Sequence, residues 1–170
     1  PADADRALAD FFERKVHGAA GQNLVVEDCL EGWEVSIFVV TDGRDYVILS
    51  PAQDHKRAFD NDLGPMTGGM GAYAPVPMLS PRHLWEIERV IIQPTIIGLA
   101  EDSILYCGIL YFGIMVTKSG PMLLEFNVRG GDPETQVVLP ITDSIDPLDL
   151  LFAAWEKRIS RIRIPLPRLS

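Results

Sequence analysis

The chain has 170 residues, 47% of them apolar, enough for one folded domain with a real core and too apolar for a disordered chain. No apolar run approaches the ~18 residues a membrane helix needs, and Pro1-Ala2-Asp3-Ala4-Asp5-Arg6 lacks the basic-then-apolar layout of a signal peptide. Fifteen basic against 24 acidic residues leave a charge of −9, which argues against nucleic-acid and membrane-surface partners and admits only a local basic pocket. These features describe a cytoplasmic domain of mixed helix and strand.

The first element is a helix, since Leu8, Phe11, Phe12 and Val16 form one apolar stripe that Gly18 and Gly21 stop. Leu24 to Leu30 reads as a short strand. Glu34 to Val40 is a β-branched and aromatic strand, and Asp42-Gly43 turns it into Tyr46 to Leu49 as a hairpin. Cys29 and Cys107 sit in apolar, strand-like stretches and are expected to be reduced core residues. Residues 51–81 carry no periodic apolar pattern and read as a long functional loop. Ser80-Pro81 caps a helix whose buried side is Leu84, Ile87, Val90, Ile91, Ile97 and Leu99, with Pro94 expected to kink or split it. Strands follow at Cys107 to Thr117 and Met122 to Val128, then a loop at Arg129 to Pro133 and a short helix from Glu134. Asp146-Pro147 caps a last helix with an apolar face of Leu148, Leu151, Phe152, Trp155 and Ile159, and the tail from Arg161 ends in prolines. Antiparallel pairs separated by helices make this an α+β fold, an antiparallel sheet with flanking helices. No G-x-G-x-x-G follows a strand and no P-loop sequence is present.

Four stretches carry chemistry. In a strand, residues two apart share a face, so Glu125 and Asn127 project together as hard oxygen ligands suited to Mg²⁺ shared with phosphates. Arg129 extends that row toward an anion. A strand face that simply meets water gives the same pattern. Asp54-His55-Lys56-Arg57 places three cations in a row within an acidic protein, either a grip on phosphate or a solvated charge run. Gly64 to Tyr73 holds four glycines within its first eight positions, which lets backbone N–H groups approach an anion and lets a lid move. Glu27-Asp28-Cys29-Leu30 with Glu34 pairs a strand edge with a carboxylate, an arrangement a purine nucleoside can use and a plain hairpin also explains.

Pro51 to Arg57, Gly64-Pro65, Thr67 to Pro75, Leu124 to Asn127, Arg129 and Gly131 to Gln136 together resemble phosphoribosylamine–glycine ligase, a purine-biosynthesis family of the ATP-grasp superfamily. The likeness runs in order from about residue 10 to about residue 160. It implies a partial ATP-grasp fold over residues 1–160, with 161–170 as a tail or linker. It implies ATP and Mg²⁺ (or Mn²⁺) as cofactors, with glycine and 5-phosphoribosylamine as substrates. ATP phosphorylates the glycine carboxylate, and the amine displaces phosphate to give glycinamide ribonucleotide.

By the same likeness Glu125 and Asn127 match the metal ligands. Glu27 and Leu30 match the hinge that holds adenine, and Glu34 the carboxylate on the ribose. Asp54, His55, Thr67, Gly68 and Gly69 fall on the substrate side, with Arg129, Asp132 and Lys56 beside the reacting groups. The chain departs from the family at Gly130, where a larger residue is usual, at Met66 for Asn, at Asp28 for Glu and at Ser144 to Pro147. The family also has a domain, a Lys and a glycine-rich strand pair before the matched region, and a further domain after it. The expectation is a portion of a longer enzyme, inactive by itself. A binding or assembly domain that kept the fold without the chemistry is the alternative, and another ATP-grasp carboxylate–amine ligase a third.

Overall fold

The computed structural model describes residues 2–142 and 145–162. Ser144 and residues 163–170, where one departure and most of the expected tail fall, lie outside them. The chain divides into two compact units, Pro1–Leu30 and Glu31–Ser170.

In the first unit, helix α1 (Ala2–Leu8) runs on as a wider π turn over Ala9–Glu13. It stops before Gly18, where Lys15 takes a φ of 51°. Arg14 pairs with Asp10 at 2.6 Å, and Phe11 stacks on His17 at 4.5 Å. Leu8, Phe12 and Val16 are exposed, so the apolar stripe makes a helix but not a buried face within this unit. Leu24 to Leu30 forms no strand. An extended segment needs a neighbour for its backbone groups, and none of the described residues pairs with it.

The second unit holds, in chain order, β1 (Gly32–Thr41), β2 (Tyr46–Ile48), β3 (Gln53–Asp54), β4 (Arg57–Phe59), β5 (Leu63–Met66) and β6 (Ala72–Tyr73). Then come α2 (Pro81–Ile87), α3 (Gln93–Glu101), β7 (Gly108–Thr117), β8 (Gly120–Asn127), α4 (Glu134–Val138) and α5 (Pro147–Trp155). The main sheet has the order β2-β1-β7-β8 with every pair antiparallel. β1 and β7 pair along their whole length, from Gly32 opposite Thr117 to Thr41 opposite Gly108.

Alternation along β1 feeds two cores. Val35, Ile37 and Val39 meet Leu84, Ile87, Ile91, Ile92 and Ile96 from the α2–α3 helix. Phe38 and Val40 meet Val138, Leu150, Ala154 and Ile159 on the other face. Both faces are covered, which is why β1 is buried at every position from Val35 to Thr41. Each fully buried aliphatic side chain adds about 1.5–3 kcal/mol.

Local grammar explains most boundaries. Ser80 and His83 cap α2 reciprocally: Ser80 Oγ accepts from the His83 N–H, and His83 Nδ1 accepts from the Ser80 N–H. The break expected at Pro94 takes the form of a π turn over Glu88–Ile92, where the Gln93 N–H reaches back to Glu88 O. Asp42 is buried in the β1–β2 turn. It accepts from the N–H groups of Arg44 and Asp45, and from the Ile159 N–H at 3.2 Å.

Three further expectations are corrected. Residues 51–81 are not a structureless loop: β3 pairs with β6 and β4 with β5, in strands too short to leave an alternating pattern. In α5, Leu150, Ala153 and Ala154 face the core, whereas Leu148, Leu151, Phe152 and Trp155 are exposed. Small alanines allow close approach to the sheet, and the bulkier stripe faces outward. Cys29 and Cys107 are both free but exposed, each outside a paired strand, so neither is a core residue.

Candidate active site

On the face of the main sheet shared by Ser36 and Tyr111, three chain segments enclose a cavity of about 350 Å³. β8 supplies Glu125 and Asn127, the 53–69 segment supplies Asp54, Lys56 and Gly68, and the stretch after β8 supplies Arg129 and Asp132 from its loop and Glu134 from the start of α4. Glu125 lies opposite Gly113 and Asn127 opposite Tyr111, so the two share a face as their spacing predicts. Phe126 turns to the other face, 5.3 Å from Phe112. A bulge at Leu124, between the pairs Gly113–Glu125 and Ile114–Leu123, sets this phase.

The floor is a buried polar chain. Ser36 Oγ donates to Glu134 Oε1 at 3.2 Å and lies 3.1 Å from the Tyr111 hydroxyl. Glu134 is only 5% exposed. Beside it, Asp54 has a buried Oδ1 that meets no partner among the described residues. Burial, with the Glu134 charge second, pushes the Asp54 carboxyl above the usual carboxylate range.

Lys56 lines this cavity and also an adjoining one of about 520 Å³ that contains Glu34, His55, Trp33 and Tyr73. Its Nζ sits 3.0 Å from Glu34 Oε2. Burial works to lower the Lys56 pKa, but the Glu34 hydrogen bond and charge outweigh it and hold it above the usual lysine range. The glycine-rich loop is tied to this lysine. The Thr67 N–H and hydroxyl both donate to Lys56 O, at 2.7 and 2.9 Å, and the Gly69 N–H donates to Thr67 Oγ1. Gly69 has φ +129°, and a Cβ there would lie 2.9 Å from Pro133 Cδ and 3.1 Å from both Asp54 carboxylate oxygens.

The structure thus gathers Asp54, Lys56, Gly68, Glu125, Asn127, Arg129 and Asp132 around one cavity. His55 and Glu34 line its neighbour. Thr67 and Gly69 line neither and instead brace the loop. Glu27, exposed, and Leu30, half-buried, lie in the stretch that ends the first unit. Gly130 presses against Thr135, whose Oγ1 would be 2.4 Å from a Cβ, so this loop conformation leaves no room for the larger residue of the family pattern. Ser36 and Tyr111 fall in no sequence motif, and Glu134 stands out there only within the Gly131 to Gln136 match, with no role of its own. The one local signal is Ser36, a lone polar residue inside an apolar strand. A third cavity of about 370 Å³, between the start of α2 and the β7–β8 turn, holds none of the expected residues.

The sequence pattern of the phosphoribosylglycinamide synthetase ATP-grasp (A) domain matches residues 1–135. The chain belongs to this family. Among similar proteins, a bifunctional purine biosynthetic protein of Schizosaccharomyces pombe is 48% identical over 98% of this chain and 21% of that protein. A phosphoribosylamine–glycine ligase of Chlorobaculum tepidum is 46% identical over 91% of this chain and 36% of that protein. The crystal structure of a Thermotoga maritima phosphoribosylamine–glycine ligase aligns with a TM-score of 0.67 at 36% identity, covering 83% of this chain and 34% of that one. A biotin carboxylase domain of a 2-oxoglutarate carboxylase, at 18% identity and a TM-score of 0.58, shares the fold. The A-domain chain therefore spans well under half the length of these relatives.

The A-domain cavity suits a hard divalent cation. The Glu125 carboxylate and Asn127 amide oxygen stand on one strand face, with further carboxylates around them and no imidazole or thiolate on the cavity wall among the described residues. Such an oxygen set matches Mg²⁺ or Mn²⁺ rather than a softer metal. No group of three or more His, Cys, Asp or Glu side chains forms an all-protein cage among the described residues. Two protein ligands leave the remaining positions of an octahedral ion to phosphate oxygens and water.

Proposed function

We propose that this chain is the nucleotide- and metal-binding portion, residues 1–160, of a longer cytoplasmic ligase that joins glycine to 5-phosphoribosylamine. The cavity that brings Asp54, Lys56, Glu125, Asn127, Arg129 and Asp132 together from distant segments carries this reading. Family membership supports this substrate class. Outside its parent protein the chain is expected to bind ATP weakly and to lack ligase activity, because phosphoryl transfer depends on positioning from all sides of the substrate.

Glu125 and Asn127 would hold Mg²⁺. When bound, the ion neutralises phosphoryl oxygens as charge develops on them. Glu27 and Leu30 would hold adenine through the backbone, and Glu34 would accept from the ribose hydroxyls. Lys56 and Arg129 bring positive charge to the phosphoryl group, and the backbone at Gly68 approaches the same anion. Asp54, His55 and Asp132 face the amine substrates, with Thr67 and Gly69 holding the loop in place.

The chemistry balances in two displacements. A glycine carboxylate oxygen attacks the γ-phosphorus, and the bond to ADP breaks. The phosphoribosylamine nitrogen then attacks the acyl carbon and loses a proton, and phosphate departs with the former carboxylate oxygen. In a full-length protein carrying this chain, glycine and phosphoribosylamine should both be required for phosphate release, and Glu125→Gln should reduce kcat by roughly 100-fold or more. Nucleotide binding without any turnover of these substrates would favour a domain that kept the fold and lost the chemistry.

A further inference from the structure

Gly113 lies in the middle of β7, where a glycine weakens a strand and normally marks a close approach. Its neighbours show what approaches. In one cross-strand row Ser36 of β1 pairs with Gly113, and Gly113 pairs with Glu125 of β8. A Cβ at Gly113 would lie 2.9 Å from Glu125 Cγ, 3.3 Å from Tyr111 Cε1 and 3.4 Å from the Tyr111 hydroxyl. The missing side chain leaves a notch bounded by Tyr111, and the stem of Glu125 lies over it.

We infer that Gly113 is a positioning residue: its notch lays the Glu125 stem across β7, so that the carboxylate enters the cavity beside Asn127 instead of facing solvent. Glu125 is an exposed residue on an edge strand, and packing against a core does not fix its rotamer. The strained atom would be Cγ, near the root of the side chain, so a methyl group at 113 cannot be avoided by moving only the carboxylate. The side chain must change rotamer, and solvent is open to it. The adjacent Tyr111–Ser36–Glu134 chain keeps the other wall of the notch fixed, because Tyr111 is buried and its hydroxyl is engaged.

This inference rests on the reading of Glu125 as a cation ligand, and the experiment separates the two. Mn²⁺ is titrated into a full-length protein carrying this chain, saturated with a non-hydrolysable ATP analogue, and into its Gly113→Ala, Glu125→Gln and double variants, with protein-bound Mn²⁺ read by electron paramagnetic resonance and melting followed by circular dichroism. The expected result is Mn²⁺ affinity roughly tenfold weaker in Gly113→Ala, with a melting temperature equal to or slightly above that of the parent, since Ala suits a strand better than Gly. Adding Gly113→Ala to Glu125→Gln should cost no further affinity. Parental affinity in Gly113→Ala beside a loss in Glu125→Gln overturns this inference alone. Parental affinity in Glu125→Gln, or no Mn²⁺ binding by the nucleotide-loaded parent protein, overturns the metal-site reading and this inference with it. A Gly113→Ala chain that unfolds also overturns it, because an exposed stem should yield without disturbing the core.

Discussion

Lys56 Nζ lies 3.0 Å from Glu34 Oε2, joining the wall shared by two adjoining cavities to the start of β1. Both side chains are about a quarter to a third exposed, so the pair is only partly screened by water. A double-mutant cycle of Lys56→Ala and Glu34→Gln in urea should return a coupling of about 1 kcal/mol. Lys56 has a raised pKa in the fold, so the pair's contribution is whole below the ordinary lysine value of 10.5 and is lost as pH rises through the folded value. The stability deficit of Glu34→Gln should therefore hold at neutral pH and shrink only in strong alkali. A deficit that disappears near pH 8 would contradict the pairing.

Asp54 is expected to trade stability for function. Its carboxyl pKa is raised by burial first and by Glu134 second, so the fold favours the neutral acid. Ionisation then costs nothing below the ordinary value of 3.8 and its full amount above the folded pKa. At pH 7, Asp54→Asn should raise the melting temperature by roughly 1–2 °C, and the gain should vanish under acid. In a full-length protein the same change should lower kcat/KM roughly tenfold or more. Lower stability together with unchanged kinetics would mean that Asp54 is only structural.

Neighbouring glycines should respond differently. Gly68 has nothing within 4 Å of a built Cβ, whereas Gly69 has φ +129° and meets Pro133 and Asp54. Gly69→Ala should cost about 1–3 kcal/mol of stability from backbone strain alone, and it should also displace the Asp54 carboxylate. Gly68→Ala should leave urea stability near that of the parent. Equal losses from both would remove the case for Gly69 as a brace.

Much of this arrangement was legible in the sequence where the signal was local. The Ser80-Pro81 and Asp146-Pro147 starts, the Asp42-Gly43 turn and the shared face of Glu125 and Asn127 each follow from backbone chemistry over a few residues. Other features were not local. The strands between residues 53 and 73 are two to four residues long, below the length at which alternation can be read. The outward face of α5 depends on what Ala153 and Ala154 pack against, which no helical period encodes. Tyr111, Ser36 and Glu134 became site residues only when β1, β7 and the start of α4 met in space. That Asp54 and Lys56 share a cavity with Glu125 follows from the family likeness, not from spacing.

Asp42 links the β1–β2 turn to the far end of the chain through the Ile159 N–H. Asp42→Ala leaves three backbone donors without that carboxylate, one of them buried with Ile159. A loss of about 2 kcal/mol in urea is expected. Asp42→Asn, which keeps an acceptor oxygen, should recover part of it. Equal loss in both would place the effect on charge and not on the hydrogen bonds.

Activation of the glycine carboxylate at the Glu125–Asn127 cavity is best tested by following one oxygen atom. A full-length protein carrying this chain is supplied with glycine labelled with ¹⁸O in its carboxylate, together with ATP, Mg²⁺ and phosphoribosylamine, and the released phosphate is analysed by mass spectrometry. One ¹⁸O per phosphate is the predicted result, and Glu125→Gln should suppress phosphate release itself. Turnover that leaves the phosphate unlabelled would contradict an acyl-phosphate route.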